Sequence, residues 1–198
     1  MTSYTIIEDC SPYYIRFTHK GIDNIIDACK KITDDTVYTK PFTHHRFDKD
    51  VGENIIKLLP MSDKFKFIKQ RVSLFVTQPG FYYRAHKDGL DHRCSINYTV
   101  KILDDRCITS WYSDNDLQEY EIDNLPRKTS REAIDFDKSK HVPLKSMTAI
   151  QNECILFNTD IYHDFDNSKS QNERIVLTLR LENPGDMYFD DVRKILFE

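Results

Sequence analysis

Glycine and proline are scarce in this chain, five and seven among 198 residues. That excludes collagen-like and low-complexity architectures, which need far more of both. The five cysteines (Cys10, Cys29, Cys94, Cys107, Cys154) are odd in number and scattered, with no CxxC pair. They exclude a regular disulfide framework and a thiolate zinc site, and the expected state is reduced thiols in a cytoplasm. No apolar run approaches the ~18 residues that a membrane-spanning helix needs. The opening MTSYTIIEDCSPYY is polar and carries acids, unlike a secretory signal. Excess positive charge is also lacking. The formal net charge is −4, so no general electrostatic attraction to nucleic acid is expected.

What remains is the composition of a globular protein, 39 % hydrophobic and 30 % charged, with twelve Phe and eleven Tyr that favour strands. The length suits one domain spanning 1–198. Residues 22–32, IDNIIDACKKI, repeat apolar side chains at helical spacing, and 50–59, DVGENIIKLL, read as a second helix stopped by Pro60. Residues 1–63 are therefore expected to be mainly helical. From residue 64 the character changes. KFKFIKQRVSLFVT (64–77) reads as one or two strands, and FYYRAHKDG (81–89) as a strand running into a turn. CSINYTVKIL (94–103), ITSWYS (108–113), QEYEI (118–122), MTAIQNECILFNT (147–159), DIYHDF (160–165) and ERIVLTLRLE (173–182) complete the set. Residues 124–142 read as a long polar loop. The expected fold is mainly β, a sandwich or jelly roll over 64–182 with the N-terminal helices packed on one sheet and 183–198 as a C-terminal extension.

Chemistry concentrates at His86-Lys87-Asp88. In a strand, residues two apart share a face, so His86 and Asp88 can bind one ion while Lys87 points away. A hard carboxylate mixed with imidazole suits iron or another transition metal better than calcium. A third ligand must come from elsewhere, and His92, His141 and His163 are the candidates. His92 lies just past a tight turn and His141 in a charged loop. His163 follows the apolar ECILFNTDIY and is preferred. HxD alone is a weak motif, and a lone histidine is more often a surface or structural residue.

On ERIVLTLRLE, Arg174, Val176, Thr178 and Arg180 share one face, and Ile175, Leu177, Leu179 and Leu181 the other. The apolar face should lie under the helices and the mixed face should line a site. Arg174 is a fixed cation able to hold the carboxylate of an acidic cosubstrate. It is preferred to Arg180 because it sits nearer the turn that follows His163. The plain alternative is that both arginines form surface ion pairs.

Together these residues resemble the Fe(II)/2-oxoglutarate-dependent oxygenases, whose pattern is HxD, a distal His and an Arg about ten residues later. Here it reads HKDG (86–89), Tyr162-His163-Asp164 with Asn167, and Glu173-Arg174-Ile175. RVSLFVTQPGFYYRAHKDG and RCSINYTV resemble the strands around the first two ligands. The likeness covers roughly residues 70–182 and is closest to the prolyl- and aspartyl/asparaginyl-hydroxylase branches. It implies a double-stranded β-helix (jelly roll, cupin-like). His86, Asp88 and His163 would hold Fe(II), and Arg174 would hold the distal carboxylate of 2-oxoglutarate. Many relatives carry Ser two residues after that Arg, where this chain has Val176. Asn97, Tyr98 and Thr178 are the candidates to replace its hydrogen bond. The implied reaction consumes O2, splits 2-oxoglutarate into succinate and CO2 and hydroxylates a substrate, with ascorbate as a supporting reductant. The intact Asp88 favours hydroxylation over halogenation, since halogenating relatives have a small residue there.

The leading expectation for the substrate is an amino-acid unit, free or within a peptide, gripped by Tyr82, Arg84, Trp111 or Tyr112. Equally, these are sheet-packing residues. Oxidation of a nucleobase or another small molecule is the second reading, and the acidic charge counts against a nucleic-acid partner. A non-catalytic metal-binding jelly-roll module is the third. A cupin-like isomerase, or a dioxygenase needing no 2-oxoglutarate, is the fourth, and in it Arg174 would have no task.

Overall fold

A computed structural model describes residues 4–34, 36–88, 93–113, 141–182 and 187–198. The chain opens with a hairpin of β1 (Tyr4–Cys10) and β2 (Tyr14–His19), followed by α1 (Ile22–Thr33), β3 (Phe42–Arg46) and α2 (Lys49–Leu58). The strands β4 (Ser73–Thr77), β5 (Tyr82–His86), β6 (Cys94–Lys101) and β7 (Ile108–Trp111) come next. Then come β8 (Lys145–Thr148), β9 (Cys154–Asn158), β10 (His163–Asp166), β11 (Arg174–Arg180) and α3 (Phe189–Phe197). The strands form two antiparallel sheets, a seven-stranded one in the order β1-β2-β9-β6-β11-β4-β3 and a four-stranded one in the order β5-β10-β7-β8. This is a jelly roll, with the functional cavity between the two sheets.

The large sheet is apolar on its outer face because β2, β6, β9 and β11 alternate. Ile15, Phe17, Ile96, Leu156, Leu177 and Leu179 point outward and are fully buried against Ile25, Ile26 and Cys29 of α1, Ile55 of α2, and Val192 and Leu196 of α3. Helix α2 comes very close to the 3-10 turn Lys69–Arg71. A Cβ on Gly52 would lie 2.5 Å from the Lys69 carbonyl, so no larger residue fits there. Gly80 turns the chain between β4 and β5 with a φ of 80°, as the Pro-Gly pair predicts.

Two expectations need correction. Residues 1–63 are not mainly helical, because they supply three strands of the large sheet besides the two helices. Residues 64–71 are not a strand either. They hold one isolated bridge, Phe67 to Leu181, and the 3-10 turn, while β4 begins only at Ser73. Both helices lie within a residue or two of their predicted spans. The expected strand 118–122 and most of the 124–142 loop lie outside the described residues.

Candidate active site

His86 ends β5 and His163 begins β10, and the antiparallel register sets them directly opposite each other. Asp88 follows β5 and is fixed by its backbone N–H, which donates to the Thr159 carbonyl at 3.0 Å. One ligand atom from each of His86, Asp88 and His163 lies within 4.8 Å of the others. Among the described candidates for the third position, His163 is the one beside the HxD pair. His141 stands before β8 and does not line the cavity, and His92 lies outside the described residues.

Both imidazoles are held in the same way. His86 Nδ1 lies 2.8 Å from the carbonyl of Arg84, and His163 Nδ1 lies 2.9 Å from the carbonyl of Ile161. A carbonyl only accepts, so Nδ1 carries the proton in each ring and the lone pair of the neutral ring sits on Nε2. Burial, with His86 adding to it, pushes the His163 pKa down to about 3, so that ring is neutral at any physiological pH. Asp88 is divided between two neighbours. Its Oδ1 faces His86 Nε2 at 3.8 Å, and its Oδ2 faces the Arg180 guanidinium at 3.6 Å. Two imidazole Nε2 atoms and one carboxylate on a single centre are the donor set that suits a divalent transition metal with open positions.

The bulge in β5 decides what surrounds this centre. Phe165 pairs with Tyr83 while His163 pairs with His86, so β5 has one more residue in this interval than β10. Strict alternation would place Tyr82 and Arg84 on the side of His86. The extra residue instead turns Tyr83 and His86 into the cavity together. Tyr82 and Arg84 do not line it, contrary to the sequence expectation. Trp111 is also elsewhere, fully buried and stacked on Tyr14 at 5.1 Å, and the Tyr112 hydroxyl donates to Asp164. These two are sheet-packing residues. Lys87 points away as expected, with its ammonium 4.5 Å from the Tyr162 ring.

The cavity has a volume of about 170 Å³. A single water needs only ~10–15 Å³ by the same kind of measure, so there is room for an organic molecule beside an ion. The inward face of β11 lines it with Arg174, Val176, Thr178 and Arg180, as the alternation predicts, and Asn97 joins them from β6. Arg174 is 9 % exposed, and its guanidinium sits 4.0 Å from the Phe165 ring. Its Nε has no hydrogen-bond partner, and neither do Asn97 Oδ1 or Thr178 Oγ1, although all three atoms are buried. Polar groups this deep are normally satisfied, so the cluster is shaped for a ligand that brings both donor and acceptor atoms. Burial pushes the Arg174 pKa down, but guanidinium remains charged. Arg174 Nε and the Thr178 hydroxyl can donate to an anionic group, whereas Asn97 Oδ1 can only accept.

One sequence reading changes here. Tyr98 is not in the cavity. It neighbours Asn97 on β6, so its side chain takes the opposite face, where its hydroxyl meets His19 Nε2 at 2.9 Å in the helix-covered core. Of the two arginines, Arg180 is the one beside the metal-type residues. In the register of β11, Arg180 lies opposite Ser95 and beside Asp88, while Arg174 lies opposite Thr77 at the far end of the cavity. The Arg180–Asp88 pair and the inward turn of Tyr83 were missed because register and bulge depend on strand pairing.

Neither a protein-family model nor a curated protein matches the sequence. Solved structures match its fold. The epimerase SnoN, in complex with Fe3+, alpha ketoglutarate and nogalamycin RO, is 8 % identical, with a TM-score of 0.50 over 86 % of this chain and 78 % of that one. HygX from Streptomyces hygroscopicus, with nickel and 2-oxoglutarate bound, is 6 % identical, with a TM-score of 0.49 over 86 % and 83 %. The likeness to SnoN is one of fold, a jelly roll shared with an iron- and alpha-ketoglutarate-binding enzyme.

Proposed function

We propose that the protein is an Fe(II)- and 2-oxoglutarate-dependent dioxygenase that hydroxylates an amino-acid unit, free or within a peptide. The observation that carries this reading is the juxtaposition of two features in one buried cavity. One is the His86–Asp88–His163 donor set. The other is the group of unsatisfied polar atoms of Arg174, Asn97 and Thr178. The fold shared with SnoN supports it.

When bound, iron with 2-oxoglutarate and O2 supplies a two-electron oxidation that yields succinate, CO2 and a hydroxylated substrate. The chain's own residues perform the positioning. His86 and His163 offer Nε2 lone pairs because backbone carbonyls hold their Nδ1 protons. Asp88 offers Oδ1 while Arg180 restrains Oδ2. Arg174 anchors the distal carboxylate of the cosubstrate with a charge-assisted fork. The Thr178 hydroxyl, and Asn97 through its amide N–H, would donate to it, taking the role that a Ser two residues after the Arg has in many relatives. Val176 and Phe157 line the cavity with apolar surface that helps exclude water.

The test is 2-oxoglutarate turnover in the presence of Fe(II) and O2, read as succinate formed with and without ascorbate. Wild-type protein is expected to release succinate slowly even without substrate, and Asp88→Ala to release none while remaining folded. Succinate formation that is unchanged in Asp88→Ala would overturn the assignment.

A further inference from the structure

The large-sheet edge beside β5 adds a wall of rings to the cavity, apart from the three metal-type residues. Phe42 and His44 come from β3, Phe75 from β4 and Tyr83 from β5, and all four line the cavity. They form one continuous set. Phe42 lies 5.7 Å from Phe75 and 5.1 Å from Tyr83, and the His44 ring lies 4.7 Å from Phe75. Register explains the grouping, since Val176, Phe75 and His44 are aligned across β11, β4 and β3. Phe75 and His44 thus stand level with the middle of the cavity, and Phe42 is level with Arg174 through Thr77.

The plane of Phe42 is fixed from behind. Phe81 stacks on it with centroids 5.8 Å apart and only 16° between the planes. Phe81 itself does not reach the cavity. Phe42 is thus held among Phe81, Phe75 and Tyr83 while still lining the cavity. Tyr83 continues the wall to the metal centre, with its ring 4.8 Å from the His86 ring and nearly perpendicular to it. A group lying on Phe42 is then two ring contacts from a metal ligand. Phe42, Phe75 and Tyr83 are only half-buried, and apolar rings left so at a cavity wall gain most from an apolar occupant.

We infer that this wall is the substrate subsite, and that the substrate presents a flat aromatic ring that packs against Phe42 and its neighbouring rings. The inference rests on reading the cavity as a reaction chamber, and it narrows the substrate class to molecules or residues with an unsaturated ring. A ring face against a ring face gains electrostatic and dispersion attraction that a saturated group of equal size lacks.

The experiment compares 2-naphthol with decahydro-2-naphthol, its saturated counterpart, by calorimetric binding to protein loaded with Mn(II) and 2-oxoglutarate and to protein with neither. The aromatic probe is expected to bind roughly three- to tenfold tighter than the saturated one. That preference should vanish in Phe42→Leu, which keeps an apolar surface but removes the π face. Phe81→Leu should weaken it, because the ring of Phe42 then loses its backing. Equal binding of the two probes to wild-type protein, or no binding of 2-naphthol, overturns the proposal whether or not the variants fold. The oxygenase reading is scored separately by succinate release. A ring preference without succinate would leave the subsite standing and remove the chemistry assigned to it.

Discussion

Replacing Arg174 by Gln should weaken 2-oxoglutarate binding strongly while leaving the ligand-free protein no less stable. The two effects have one cause. Arg174 is nearly inaccessible, and among the described residues no carboxylate pairs with it. Its neighbours are the Phe165 ring and the Cys107 thiol. An unpaired buried cation costs the fold several kcal/mol of desolvation, and a cation–π contact returns only about 0.5–2 kcal/mol. Gln keeps most of the side-chain length and removes that cost, so the ligand-free variant should melt at the same temperature or a few degrees higher. Loss of a charge-assisted bidentate contact removes about 2–3 kcal/mol of binding, roughly a 30- to 150-fold rise in Kd. The assay is a 2-oxoglutarate titration of Mn(II)-loaded protein by calorimetry, with thermal melts at each ligand concentration. Wild-type protein should gain stability as the ligand saturates it, and the variant should gain little over the same range. An unchanged Kd would refute the placement of the cosubstrate carboxylate. A large loss of ligand-free stability would show that Arg174 is a structural residue.

Arg180→Gln should destabilise the metal-free protein by about 2 kcal/mol, because Asp88 then keeps a largely buried charge without the guanidinium beside it. Mn(II) should restore most of that loss, and an equal deficit with and without metal in thermal melts would contradict the pairing. Tyr98→Phe should cost about 1–3 kcal/mol by leaving buried His19 Nε2 without its hydroxyl partner, with no change in 2-oxoglutarate affinity. A weakened affinity would return Tyr98 to the cosubstrate site. Burial holds the His19 pKa below its ordinary value, so as pH falls the unfolded chain takes up this proton before the folded one does. Stability from His19 is present above about pH 6.5 and declines below it. His19→Gln should flatten the fall in denaturation midpoint between about pH 7 and 5, and an unchanged slope would count against the buried neutral ring.

The readable parts of the sequence were those in which a local period equals a structural fact. The alternation of ERIVLTLRLE assigns both faces of β11, four residues to the cavity and four to the helix-covered core. The apolar repeat of IDNIIDACKKI gives α1. His86 and Asp88 two apart, with a distal His163, give the metal-type centre. What stayed hidden depends on partners distant in sequence. Tyr98 and Asn97 are adjacent, and only the identity of the face towards the helices decides which one reaches the cavity. The β5 bulge moves Tyr83 inward and Tyr82 and Arg84 away, although nothing in FYYRAH marks the extra residue. Residues 4–19 do carry strand signals in their β-branched and aromatic residues. Those signals lacked the tight Gly-containing turn that makes a hairpin easy to read, because the connection runs through Ser11-Pro12-Tyr13.

The most direct measurement of the central claim is an anaerobic titration of metal-free protein with Fe(II) and 2-oxoglutarate, watched for a visible metal-to-ligand charge-transfer band. The account predicts a band that needs both additions, saturates at one iron per chain and is absent in His86→Ala. A folded protein that shows no band when both are present would contradict it, for then His86, Asp88 and His163 would not hold iron together with the cosubstrate.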